Sequence, residues 1–111
     1  MINLENLEIT DQHIDELCNF LHSRNMVQRL NLRRNHIGNK GAIKLSNFIR
    51  TGDQTLTHID LERNYIGDDG GHELLKSLSF NYRIIQCKLK YGNPISENLA
   101  GYFDREIVAN T

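Results

Sequence analysis

Residues 30–45 read LNLRRNHIGNKGAIKL, and 29 positions later residues 59–74 read IDLERNYIGDDGGHEL. At that offset Leu30 meets Ile59, Leu32 meets Leu61, Asn35 meets Asn64, Ile37 meets Ile66, Gly41 meets Gly70 and Leu45 meets Leu74. So many matches at one spacing mark an internal repeat, which sets the architecture before any single element is considered. Upstream, an offset of 28 places Ile2 on Leu30, Leu4 on Leu32, Ile9 on Ile37 and Leu17 on Leu45. A rival offset of 23 aligns Leu4, Leu7, Ile9 and Ile14 but fails further on. Downstream, Cys87 and Leu89 follow Ile59 and Leu61 by 28. With one residue inserted near Gly92, Asn93, Ile95, Phe103 and Ile107 follow Asn64, Ile66, Leu74 and Leu78 by 29. Four units, approximately 1–27, 28–56, 57–84 and 85–111, account for all 111 residues, and one domain is expected.

Each unit changes period midway. Leu30-Asn31-Leu32 alternates apolar and polar, as a short strand does. Ala42, Leu45, Phe48 and Ile49, like Gly71, Leu74, Leu75 and Leu78, instead follow the spacing of one helix face. Asn39, Asp68 and Ser96 stand where helix N-caps belong. Gly41, Gly70 and Gly71 weaken helix propensity, which points to close approach between neighbouring coils. Asn35, Asn64 and Asn93 recur just after the strand, where a buried amide can satisfy backbone groups of adjacent turns. Leu7 replaces that Asn in the first unit, so an atypical terminal coil is expected there.

The pattern resembles the leucine-rich repeat family, in its ribonuclease-inhibitor-like class with long repeats. LNLRRNHIGNKGA and IDLERNYIGDDGG carry the resemblance, with INLENLEITDQHI and CKLKYGNPISENLA as weaker copies. It implies an α/β right-handed solenoid of about four β-α repeats, with parallel strands on the concave face and helices on the convex face. It also implies protein binding as the use of that face.

Composition narrows the function classes. Hydrophobic residues make up 39% and charged residues 24%, enough apolar material for a core. No apolar run is long enough to span a bilayer, and the acidic start MINLENLEIT lacks the basic region of a secretory signal. Thirteen Lys and Arg against 14 Asp and Glu leave a net charge of −1, which disfavours a general nucleic-acid binder. Cys18 and Cys87 lie too far apart for a metal or redox motif, and read as reduced apolar fillers in a cytoplasmic protein.

Strand alternation turns Asn3, Glu5, Arg29, Asn31, Arg33, His58, Asp60, Glu62, Gln86, Lys88 and Lys90 away from the core. Asn6, Arg34, Arg63 and Tyr91 follow just beyond the strands, and Tyr65 lies at the rim. Glu5, Arg33, Glu62 and Lys90 are expected in one row of alternating sign, and the charges of Arg33, Glu62 and Lys90 either pair with one another across strands or serve a partner. Arg34 and Arg63 are expected side by side, repelling each other and suited to a partner's carboxylate. Tyr with Arg is common chemistry at interface hot spots. Tyr65 can instead pack on the neighbouring loop that bears His36. Bands of alternating sign suit a folded protein better than a phosphate backbone.

Catalytic chemistry is not legible. The five histidines are scattered, and His58 beside Asp60 is adjacency along one strand face. Asp68-Asp69-Gly70-Gly71 lacks the alternating ligands of a calcium loop, and the Gly turns lack the Lys and Ser/Thr of a phosphate loop. The expectation is a non-enzymatic, cofactor-free, monomeric module binding a folded protein, with no nucleic acid or membrane. It would regulate that partner by occluding it, in the manner of an inhibitor. Short free-standing repeat proteins of this kind also resemble bacterial effectors that act in a host cytosol. The alternatives are a scaffold fragment of a larger repeat protein and, more remotely, a GTPase activator using Arg34.

Overall fold

In the computed structural model, which describes residues 1–24, 26–51, 55–81 and 83–103, strands and helices alternate along the chain. Strand β1 (Ile2–Asn3) leads through a 3-10 turn at Asp11–His13 into α1 (Ile14–Ser23). Then come β2 (Arg29–Asn31), α2 (Asn39–Arg50), β3 (His58–Asp60), α3 (Asp68–Leu78), β4 (Gln86–Lys88) and the short α4 (Glu97–Ala100). The strands form an open parallel sheet in the order β1-β2-β3-β4. Its register pairs Ile2 with Leu30, Leu30 with Ile59 and Ile59 with Cys87. These are the pairings given by the sequence offsets, and the chain forms the α/β repeat solenoid they imply. Ile107, matched above to Leu78, lies outside the described residues.

Equivalent apolar positions stack from coil to coil. Leu30, Ile59 and Cys87 form one buried row, and Leu32, Leu61 and Leu89 the next. Ile37 and Ile66, Leu45 and Leu74, and Ile49 and Leu78 continue the core beneath the helices. Burying each Leu or Ile is worth about 1.5–3 kcal/mol, against roughly 0–1 kcal/mol for an exposed ion pair. Most of the stability therefore resides in these rows, to which the outward side chains of the sheet add hydrogen bonds at the strand ends. Gly70 shows how tightly the coils approach: a Cβ there would lie 2.8 Å from both the Ala42 Cβ and the Asn39 Oδ1.

The Asn positions do what their recurrence implied. Asn64, 3% exposed, accepts the Ile37 N–H through Oδ1 and donates through Nδ2 to the carbonyls of Leu32, Leu61 and Glu62. Asn35 accepts the N–H groups of Leu7 and Ile9, serving the first coil, which has Leu7 where an Asn would stand. Asn93 accepts from Ile66 and donates to the carbonyls of Leu61 and Leu89.

Helix capping differs from the expectation at two of three sites. Ser96 is an N-cap, accepting the Leu99 N–H at 3.4 Å. Asn39 and Asp68 are first helical residues, the N-cap positions being Gly38 and Gly67. Their side chains reach forward one coil. Asp11 accepts the Gly38 N–H, Asn39 accepts those of Gly67 and Gly70, and Asp68 accepts that of Ser96. A glycine N-cap has no side chain to satisfy its own helix start, so the preceding coil supplies the acceptor. Asn39→Ala is accordingly expected to cost about 1–2 kcal/mol in denaturant unfolding, although Asn39 caps no helix of its own.

Candidate functional site

The outward side chains of three strands meet in one depression. Arg29 and Asn31 on β2, His58 and Asp60 on β3, and Gln86 and Lys88 on β4 line a hollow of about 210 Å³, with Met1 at its margin. Parallel pairing puts Arg29, His58 and Gln86 in one row and Asn31, Asp60 and Lys88 in the next. The sequence alternation named all six, and the structure brings them together.

Farther along the strands, the contacts differ from those expected. Arg33 does not pair with Glu62; its Nε lies 3.8 Å from Asp60 Oδ2, diagonally across to β3. Glu62 is only 8% exposed, and its Oε2 accepts the backbone N–H of Tyr91 at 3.2 Å. The backbone explains why. Leu61 N–H bonds to the Lys88 carbonyl, but Arg63 N–H bonds to that of Tyr91. The inserted residue of the fourth coil therefore falls at Lys90–Tyr91, ahead of Gly92. Lys90 and Tyr91 together stand opposite Glu62 in the Arg33–Glu62 row, and Gly92 rather than Tyr91 continues the row of Asn6, Arg34 and Arg63.

That last row shares an unusual backbone. Asn6, Arg34 and Arg63 have φ of 57°, 56° and 59°, and Gly92 has 77°. Left-handed backbone costs a non-glycine residue roughly 1–2 kcal/mol. Arg34 and Arg63 are held there, at neighbouring positions of the row. Arg34 turns back to the first coil, its Nε 3.8 Å from Glu5 Oε2, leaving Arg63 exposed and without an ion-pair partner among the described residues. Arg63→Gly relieves the backbone cost, offset in part by the greater freedom of glycine in the unfolded chain. It is expected to leave stability unchanged or raise it by up to about 1 kcal/mol in urea unfolding, with Arg63→Ala below it.

The three carboxylates of this face are all engaged within the chain. Glu5 Oε1 accepts from Asn31 Nδ2 at 3.1 Å, besides its contact with Arg34. Asp60 Oδ1 accepts the Glu62 N–H. Burial pushes the Asp60 carboxyl above its ordinary range, opposed by that N–H and by the Arg33 charge. At the rim His36 and Tyr65 stack with ring centroids 5.6 Å apart, and Tyr65 remains 60% exposed. Tyr91 is 58% exposed, with Lys90 Nζ 5.2 Å from its ring centre. The His36–Tyr65 stack is the packing of Tyr65 on the His36-bearing loop that the sequence offered as its alternative, although His36 itself was not among the binding candidates.

The remaining histidines do not converge. His58 Nδ1 bonds to the Thr57 hydroxyl, His13 Nδ1 accepts the Thr10 N–H, and His72 borders a hollow of about 870 Å³ near α3 and α4. Among the described residues no group of three His, Cys, Asp or Glu is placed to hold a metal, and no helix is long and apolar enough to cross a membrane.

The leucine-rich repeat family profile matches residues 24–46 and 52–75, the second and third coils. Among solved structures, that of Leiomodin-1 actin-binding site 2 (ABS2) is similar, with a TM-score of 0.72 at 16% identity. The match covers 85% of this chain and 53% of that one, so this chain spans about half the length of its structural neighbour. Strand register, Asn positions and the profile match at the second and third coils agree on a leucine-rich repeat fold for this chain.

Proposed function

We propose that this chain is a non-enzymatic protein-binding module of the ribonuclease-inhibitor-like class, docking its strand face on a folded partner and regulating it by occlusion. One observation carries the reading: Arg29, Asn31, His58, Asp60, Gln86 and Lys88 converge on one depression while the core is built from other residues. A rigid sheet presents such side chains without ordering a loop on binding, which favours affinity. Glu5, Arg33, Arg34, Glu62 and Lys90 frame the contact, and Arg63, Tyr65 and Tyr91 supply its exposed anchors. The neighbour named for an actin-binding site is one case of this fold associated with a protein ligand. In this reading the module works in the cytoplasm as a monomer, and an inhibited enzyme, reached by an effector or an endogenous regulator, is its sharpest form.

The test is capture from a cell lysate by wild type, by an Arg29→Glu/Lys88→Glu variant and by a Lys40→Glu/Asn47→Glu variant on the exposed side of α2. A protein held by wild type and the α2 variant but lost by the sheet variant supports the reading, and its activity is then assayed with and without the module. Capture indifferent to the sheet variant refutes it. The edge strands β1 and β4, each paired on one side only among the described residues, favour one other reading, a scaffold that extends through its edges. Sedimentation that rises with concentration would mark that case.

A further inference from the structure

The balance of charge on the strand face is not the balance its sequence suggests. Six cations lie on it (Arg29, Arg33, Arg34, Arg63, Lys88 and Lys90) with three acids, Glu5, Asp60 and Glu62, although the whole chain carries −1. Each acid is already engaged within the chain. Glu62 is buried against the Tyr91 N–H, Asp60 lies between the Glu62 N–H and Arg33, and Glu5 is shared by Asn31 and Arg34. Among the cations, Arg29, Arg63 and Lys88 are exposed and have no ion-pair partner within 4.0 Å among the described residues. The alternating bands of the sequence thus collapse into a face that is cationic toward solvent.

We infer that the partner chemistry of this face is an acidic protein segment, whose carboxylates enter the depression between Arg29 and Lys88 and reach Arg63 beyond it. This rests on the protein-binding reading and specifies its ligand. Arg29 on β2 and Lys88 on β4 line the depression on either side of the His58–Asp60 strand, Gln86 adds an amide donor, and the Asp60 carboxylate beside them is half-buried and offset by Arg33 and Lys88. Exposed Tyr91 and Tyr65 give the backbone and apolar parts of such a segment rings to pack on. A polyphosphate fits less well, because the exposed cations Arg29, Arg63 and Lys88 stand apart on three successive coils rather than in one continuous basic stripe.

The probe is fluorescein-labelled poly-L-glutamate, titrated by anisotropy at low and high salt, with poly-uridylate and poly-L-lysine of matched charge as comparisons. Expected is saturable binding of poly-L-glutamate, tighter than of poly-uridylate. It should weaken at least tenfold in Arg29→Ala/Lys88→Ala, severalfold in Arg63→Gly, and not in Lys40→Ala. Tighter binding of poly-uridylate would move the face to nucleic acid, and equal loss in the Lys40→Ala control would reduce the effect to general charge. No binding of poly-L-glutamate would also overturn the inference. If lysate capture still depends on Arg29 and Lys88 in that case, the docking face stands and only its acidic ligand falls. Circular dichroism of each variant keeps a folding defect from passing as lost binding.

Discussion

Asn64→Ala is expected to lower the free energy of unfolding by at least about 3 kcal/mol, more than any surface substitution in the chain. The side chain accepts one buried N–H, that of Ile37, and donates to three carbonyls contributed by two successive coils. Alanine leaves these groups facing a dry interior, at roughly 1–3 kcal/mol for each one that finds no replacement. Conversion at about 4–8 °C per kcal/mol gives a melting temperature lowered by roughly 12 °C or more. Asn64→Asp does not rescue, because it keeps the acceptor, removes the donors and buries a charge. Asn93→Ala should cost less than half as much, since Asn93 is only partly buried and water can reach the freed groups. Equal losses at the two sites, or a loss at Asn64 within about 1 kcal/mol, would mean that the ladder is not what ties the coils together.

The second large effect is chemical. Cys87 is 1% exposed in the core row with Leu30 and Ile59, and burial pushes its thiol up to about 12. Cys18 is raised to about 11, mainly by burial, with Asp15 adding to the shift and Lys44 opposing it. At pH 8 a thiol at about 11 is roughly 0.1% thiolate, against about 10% at the ordinary 9.0, and only the thiolate attacks. Cys18 should therefore react with an aromatic disulfide reagent about tenfold more slowly in the native protein than in denaturant, the greater nucleophilicity of the more basic thiolate offsetting part of its lower population. Cys87, which also lacks access, should react only when the coils open. Its rate then follows the population of the open state, and in Asn64→Ala it should rise roughly a hundredfold for a loss near 3 kcal/mol. Fast labelling of native Cys87 with unchanged global stability would show that β4 opens independently of the coils before it.

The fold was legible because it is written several times. A repeat of 28–29 residues, with strand alternation in one half and helical spacing in the other, fixes the strand register without any long-range reasoning. Membership of the sheet face was legible for the same reason, since alternation alone turns Arg29, His58 and Lys88 outward. The partners of those side chains were not. Arg and Glu reach far enough to choose diagonal neighbours, so Arg33 pairs with Asp60 and Arg34 with Glu5. One inserted residue set both Lys90 and Tyr91 opposite Glu62 and brought Gly92 into the row of Arg34 and Arg63. Capping was misassigned at Asn39 and Asp68 for a related reason: propensity describes a helix and its own flanks, whereas these side chains serve the next coil. Asp11, Asn39 and Asp68 nevertheless recur 28 and 29 residues apart, and that regularity was open to reading.

The forward reach of those side chains also bears on how such a chain grows. A segment that begins at Asn39 and ends at Gly67 carries the acceptor for whatever helix follows it and leaves its own helix to the segment before. Spliced in tandem, a second copy would find its first turn satisfied by the first copy and would satisfy the coil after it, with no new interface to evolve. Lengthening by whole units is in that sense grammatical. A cut in mid-unit strands one helix without its acceptor, so gain or loss of coils should respect the 28–29-residue frame.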